Sequence, residues 1–152
     1  MTHFMSKFSS EEIFLAWLRK RLLDGLLSPA IIDGYLVKKS TVTTDATAGA
    51  LTYTAAMLLG GLILRDPQGD RNDVTPTAAL LAAAIPNVKA GTSFIFTIRN
   101  TAGAAETITV TAGVGCTLSG TMTIAQNNSK SFLVVFTSTT AYTMYSLGTI
   151  VH

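Results

Sequence analysis

Ser131-Phe132-Leu133-Val134-Val135-Phe136-Thr137 is the stretch on which the fold turns. In an extended chain successive side chains point to opposite faces. Phe132, Val134 and Phe136 then share one face, and Leu133 and Val135 share the other. A strand that is apolar on both sides belongs in the middle of a sheet or is covered on both sides. Its neighbours along the chain are one-sided. Residues 93–100 place Phe94, Phe96 and Ile98 on one face. Residues 106–111 set Ile108 and Val110 opposite Thr107, Thr109 and Thr111. Residues 117–125 set Leu118, Met122 and Ile124 opposite Thr117, Ser119, Thr121 and Thr123, and residues 141–147 close the series. Turn signals separate the strands at Thr101-Ala102-Gly103, Ala112-Gly113 and Asn127-Asn128. Short strands at this even spacing predict a mainly β fold, an antiparallel β-sandwich or barrel, with a jelly roll among its forms.

Working back toward the N-terminus, residues 35–42 read as a first strand and Gly61–Arg65 as a short apolar one. Residues 66–73 read as a polar loop. Residues 76–85 read as a helix capped by Thr75, opened by Pro76 and stopped by Pro86. In Leu59-Gly60-Gly61-Leu62 the glycines suit a bulge or a close backbone approach. This run has neither the lysine of a phosphate-binding loop nor the spacing of a dinucleotide fingerprint.

Residues 1–39 are different in kind. They hold ten of the 20 charged side chains and the only tryptophan. Ser9 and Glu12 have capping-box spacing, Glu11 and Glu12 suit a helix start, and Arg19, Lys20 and Arg21 suit a helix end. With Ile13, Phe14, Trp17, Leu18 and Leu22 at helical spacing, a helix is expected from about Ser10 to Asp24. The expected organisation is an N-terminal helical arm over 1–40 and a β-rich domain over 41–152, hinged at residues 40–46. The wide apolar side of this helix must be buried. Pattern alone leaves open whether its own domain, further copies of the chain or another protein buries it.

Charge then narrows the function. Only 13% of the 152 residues are charged, about half the usual share. After Asp73 there are four charged residues: Lys89, Arg99, Glu106 and Lys130. A net charge of +2 gives no footprint for direct nucleic-acid binding, and the basic triplet at residues 19–21 is small for phosphate. The uncharged run over residues 46–64 is too weakly apolar to predict a membrane span, and no secretory signal is read at the start. A near-neutral, threonine-faced domain fits a surface that other subunits cover.

Catalytic constellations are sparse. The two histidines, His3 and His152, are terminal, and Cys116 is single. Cys116, at a strand start, reads as a buried inert thiol. Asp66, Asp70, Asn72 and Asp73 offer oxygen ligands for calcium, but not at EF-hand spacing, and Arg65 and Arg71 beside them suit local ion pairs. No catalytic residue, metal site or cofactor is therefore expected. Tyr53, Tyr142 and Tyr145 are dispersed and read as core or interface residues.

Four segments carry a resemblance. They are Leu58-Leu59-Gly60-Gly61-Leu62-Ile63-Leu64-Arg65-Asp66-Pro67, Phe96-Thr97-Ile98-Arg99-Asn100-Thr101, Thr121-Met122-Thr123-Ile124-Ala125-Gln126-Asn127-Asn128 and Tyr145-Ser146-Leu147-Gly148. Together they resemble capsid decoration (cement) or head-fibre-type virion structural proteins of tailed bacteriophages. The resemblance covers about residues 41–152 and leaves the first 40 unmatched. It implies a β-rich oligomer, often a trimer, seated on the major capsid protein at the capsid surface. The expected function is a non-enzymatic cement protein, with a fibre or spike that binds a host glycan or protein as the alternative. Phe14, Trp17, Leu18, Arg21 and Leu22 are the expected interface residues, because aromatic and arginine anchors dominate interfaces.

Overall fold

The computed structural model describes residues 10–21, 31–32, 35–36 and 40–152. The chain divides into two units, Met1–Lys39 and Ser40–His152. The first contains helix α1 (Ser10–Arg21), with Glu11 and Glu12 in its first turn, where the helix dipole favours acids. Residues 22–24, expected to finish this helix, lie outside the described residues. Two short strands, β1 (Ile31–Ile32) and β2 (Tyr35–Leu36), pair antiparallel.

The second unit is mainly β. It opens with β3 (Thr41–Asp45), α2 (Ala55–Gly60) and β4 (Gly61–Arg65), followed by β5 (Arg71–Val74) and α3 (Ala78–Ala83). Then come β6 (Ser93–Asn100), β7 (Ile108–Thr111), β8 (Cys116–Ser119), β9 (Thr123–Ile124), β10 (Asn128–Ser138) and β11 (Ala141–Val151). A six-stranded sheet runs β3-β4-β6-β10-β11-β8, and a three-stranded sheet runs β5-β7-β9. The doubly apolar strand β10 is central, paired antiparallel with β6 on one side and β11 on the other.

Both sheets are mixed, which corrects the antiparallel expectation. The pairs β3–β4, β4–β6, β11–β8 and β5–β7 are parallel. Alternation along a strand reports which side chains share a face and is blind to the direction of the neighbour. Parallel neighbours need long crossovers. Here α2 lies between β3 and β4, and β5 and α3 lie between β4 and β6.

Three further boundaries differ from expectation. Residues 117–125 are two strands, because Gly120 at φ +94° turns the chain. β8 joins the large sheet and β9 the small one. The α3 cap is Thr77, whose hydroxyl accepts from the Leu80 N–H at 3.3 Å. Thr75 and Pro76 are held by the sheets instead: the Thr75 hydroxyl accepts from Gly113 N–H at 2.8 Å, and the Pro76 carbonyl accepts from Tyr142 at 2.7 Å. The hinge expected at residues 40–46 falls largely on β3.

One apolar core joins both sheets and both short helices. Phe96, Ile98, Phe132, Val134, Phe136 and Met144 enter it from the large sheet, Ile108, Val110 and Ile124 from the small one, and Leu58 and Leu81 from α2 and α3. Phe96 and Phe132 stack with ring centroids 5.3 Å apart. The glycine pair does what its spacing suggested. A Cβ on Gly60 would stand 2.8 Å from the Thr41 carbonyl, and Gly61 at φ +99° ends α2 in the left-handed region.

Candidate functional site

The densest polar cluster among the described residues is buried. Arg65 closes β4 with its side chain fully inside the protein. Its Nε donates to Asp73 Oδ2 at 3.1 Å. Its Nη1 donates to Asp45 Oδ1 at 3.0 Å and to the carbonyls of Thr47 and Asp66, and its Nη2 donates to the Gly49 carbonyl. Asp73, equally buried, also accepts from the Tyr53 hydroxyl at 3.0 Å and the Leu51 N–H at 2.8 Å. A buried ion pair is tolerated when its remaining donors and acceptors are satisfied, and this one ties the 45–51 segment to both sheets.

The acidic loop is consumed in the same way. Asp73 lies in β5 and not in a hydrated turn, as the position of a buried partner for Arg65 requires. Asp70 Oδ1 accepts from Thr107 N–H, and Asp66 Oδ1 from Gln68 N–H. Among the described residues no three His, Cys, Asp or Glu side chains are grouped to hold a metal ion. Asn100 stitches the two sheets: its Nδ2 donates to the carbonyls of Glu106 and Ile124, and its Oδ1 accepts from Ala102 N–H.

His152 and Cys116 are the described histidine and cysteine. His152 Nε2 lies 2.6 Å from the Ser129 hydroxyl, and His152 N–H donates to the Asn127 carbonyl, so the end of β11 is fastened to β10. This pairing of a terminal histidine with a strand serine gives no signal in the sequence. Cys116 opens β8, half-buried, with its thiol pushed up by burial. Lys130 points to the core side and donates to the Thr121 carbonyl at 2.9 Å; burial lowers its pKa.

Tyr53 and Tyr142 are buried, and burial first, with the Asp73 carboxylate second for Tyr53, raises both hydroxyls well above their ordinary 10.0. The sign of the pH effect follows. Below pH 10 both states keep these protons and the hydrogen bonds contribute fully. Above it the unfolded chain ionises while the folded one does not, so stability falls as pH rises. Lys130 acts in the opposite sense only up to its ordinary 10.5. Between about pH 10.5 and 12 the urea midpoint is therefore expected to fall, and a Tyr53→Phe/Tyr142→Phe variant to fall less steeply. Equal slopes for the two proteins would refute this.

The outer side of the large sheet is partly exposed. Cross-strand register lines up Ile95, Leu133 and Tyr145 in one row and Val42, Leu62, Thr97 and Ser131 in another. Val42, Ile95 and Tyr145 are 56%, 54% and 40% exposed. Leu62, Leu64, Leu133 and Val135 are half-buried between their neighbours. Arg99 is the charged residue of this face. At one end, a bulge at Leu147 and the missing side chain of Gly148 leave a pocket of about 190 Å³ lined by Ser131, Leu147, Gly148, Thr149 and Ile150.

Of the expected interface residues, Phe14 lies on α1 and is 57% exposed, beside Ile13 and Leu15 at 48% and 52%. Trp17, Leu18 and Arg21 belong to α1 by backbone, but their side chains lie outside the described residues, as does Leu22 entirely. Of these five, Phe14 alone has a described side chain. Tyr145, expected in the core or an interface, lies on the outer face, whereas Val42 and Ile95 give no signal of their own when alternation is taken for the core side alone. The apolar second side of β10 was the available signal.

Comparison with family models, with curated proteins and with solved structures finds no match for this chain. Among the described residues no helix is long and apolar enough to cross a membrane.

Proposed function

We propose that the chain is a virion structural protein: an oligomeric cement protein, trimeric as its resemblance implies, that decorates and stabilises a phage capsid. Its partner is the major capsid protein and its place is the capsid surface. We read the two sheets as a sandwich-like body and the chain as non-enzymatic and without cofactor. The observation that carries this reading is the outer face of the large sheet, which exposes Val42, Ile95 and Tyr145 with Arg99 as its charge. Apolar surface of this kind marks contact with other subunits. A protein that binds only the assembled shell stabilises that shell by mass action.

The experiment is sedimentation of the full chain with capsid shells of the phage that encodes it. The wild-type chain is expected to pellet with shells at a saturating copy number. Ile95→Asp, which sets a charge in the middle of the face, is expected to weaken binding at least about tenfold. A chain that stays in the supernatant overturns the reading. A fibre or spike module that binds a host glycan is the second reading, favoured by exposed Tyr145 near the pocket at Gly148. Binding of the 40–152 surface on a glycan array, without shell binding, would select it.

A further inference from the structure

β11 is eleven residues long, but β8 covers only Tyr142 to Tyr145 of its outer edge. Gly120 still approaches Ser146, and beyond that no described strand follows. Among the described residues, 147–151 therefore have β10 on one side and an open edge on the other. The hydrogen-bond phase is fixed by the His152 N–H, which donates to the Asn127 carbonyl of the loop before β10. Alternation then aims the backbone N–H and C=O groups of Thr149 and Val151 out of the open edge.

Natural proteins blunt such edges with lysine, proline, a bulge or a cover. The bulge at Leu147 lies at the start of this edge, and over residues 149–151 the described residues supply no lysine, proline or covering strand. No charged residue occurs from Ser131 through Val151. Leu147, Ile150 and Val151 are 52%, 61% and 76% exposed, beside the pocket at Gly148.

We propose that this edge is a self-pairing site, in which two copies of the chain join their β11 strands antiparallel about a two-fold axis at Thr149. An unpaired strand edge recognises another extended backbone, and pockets beside it receive alternate side chains. The absence of charge points to a second copy as the occupant. Around a two-fold axis each residue meets itself or a near neighbour, so any charge there would face its like. With Thr149 opposite itself, Leu147 stands opposite Val151 of the partner subunit, an apolar cross-strand pair. The two large sheets become one continuous sheet, and both exposed edges disappear. This pairing goes beyond the capsid reading and does not rest on it.

The test uses the isolated full chain, without shells, in a Cys116→Ser background. Thr149→Cys is treated with a short bis-maleimide, and Thr44→Cys on the opposite edge strand β3 is the control. Facing Cα atoms in a hydrogen-bonded antiparallel pair are about 5.5 Å apart, within reach of the reagent. The expected result is a covalent dimer from Thr149→Cys and none from Thr44→Cys. A larger assembly that still cross-links at residue 149 also supports the pairing. In sedimentation velocity, Thr149→Lys is expected to weaken association at least about tenfold. The proposal is overturned if Thr149→Cys stays uncross-linked, if Thr44→Cys cross-links equally, or if the wild-type chain is monomeric at about 100 µM, where even a weak specific interface is populated.

Discussion

Replacing Arg65 by alanine is expected to lower the unfolding free energy of the β unit by about 3–5 kcal/mol, the cost of breaking a buried ion pair by removing one partner. The loss is large because of what is left behind. Asp73 would remain fully buried with its charge, and the carbonyls of Thr47, Gly49 and Asp66 would lose their donor. Arg65→Lys should recover only part of the loss. An ammonium group has no fork with which to reach Asp73, Asp45 and the Gly49 carbonyl together. Replacing both Arg65 and Asp73 by apolar residues should destabilise less than Arg65→Ala alone, since no orphan charge remains. Urea unfolding followed by far-ultraviolet circular dichroism measures all three. An Arg65→Ala midpoint close to wild type would mean that the cluster does not hold the fold.

The second large effect is expected at Phe132, and its value lies in the contrast with the next residue. Phe132 is fully buried on the core side of β10, stacked on Phe96. Phe132→Ala should cost about 3–5 kcal/mol through lost burial and the cavity left behind. Leu133 is one residue along and on the other side of the same strand, half-buried in the outer face. Leu133→Ala should cost about 1 kcal/mol or less in the isolated chain, where less surface is removed from water. If Leu133 proves as costly as Phe132, the outer face is already covered within a single chain, and it is not a docking surface.

The same two residues show how far the fold can be read from the sequence. Phe132, Val134 and Phe136 against Leu133 and Val135 announced a central strand, and β10 is central. The strands at Ser93–Asn100 and Gly61–Arg65 were legible for the same reason: side-chain alternation is a local property of one strand. Strand direction is not local. The parallel pairs of β3 with β4 and of β4 with β6 depend on crossovers through α2 and α3, and no residue within the strands records them. The break at Gly120 was hidden because Leu118, Met122 and Ile124 keep an even spacing through it, even though they serve two sheets. The Arg65–Asp73 pair was half visible. Sequence places the two residues as neighbours of opposite charge, but burial is decided by Tyr53 and Leu51, some 20 residues before Asp73 in the chain. The apolar outer face was written in Leu133 and Val135, whereas the open edge at residues 147–151 depends on where β8 stops, which only the assembled sheet shows.

The two faces of the large sheet divide the labour of this molecule. One side, with Arg65 and Phe132, holds the unit together. The other exposes Val42, Ile95 and Tyr145 and is nearly without charge, which suits the subunit packing proposed for it.

The measurement that bears most directly on the proposed role is the thermal disruption of capsid shells, followed by calorimetry, with and without the full chain. The disruption temperature is expected to rise with added chain and level off once the binding sites are filled, as for a chain that binds the intact shell and not its separated subunits. A disruption temperature unchanged at saturating chain concentration would contradict it.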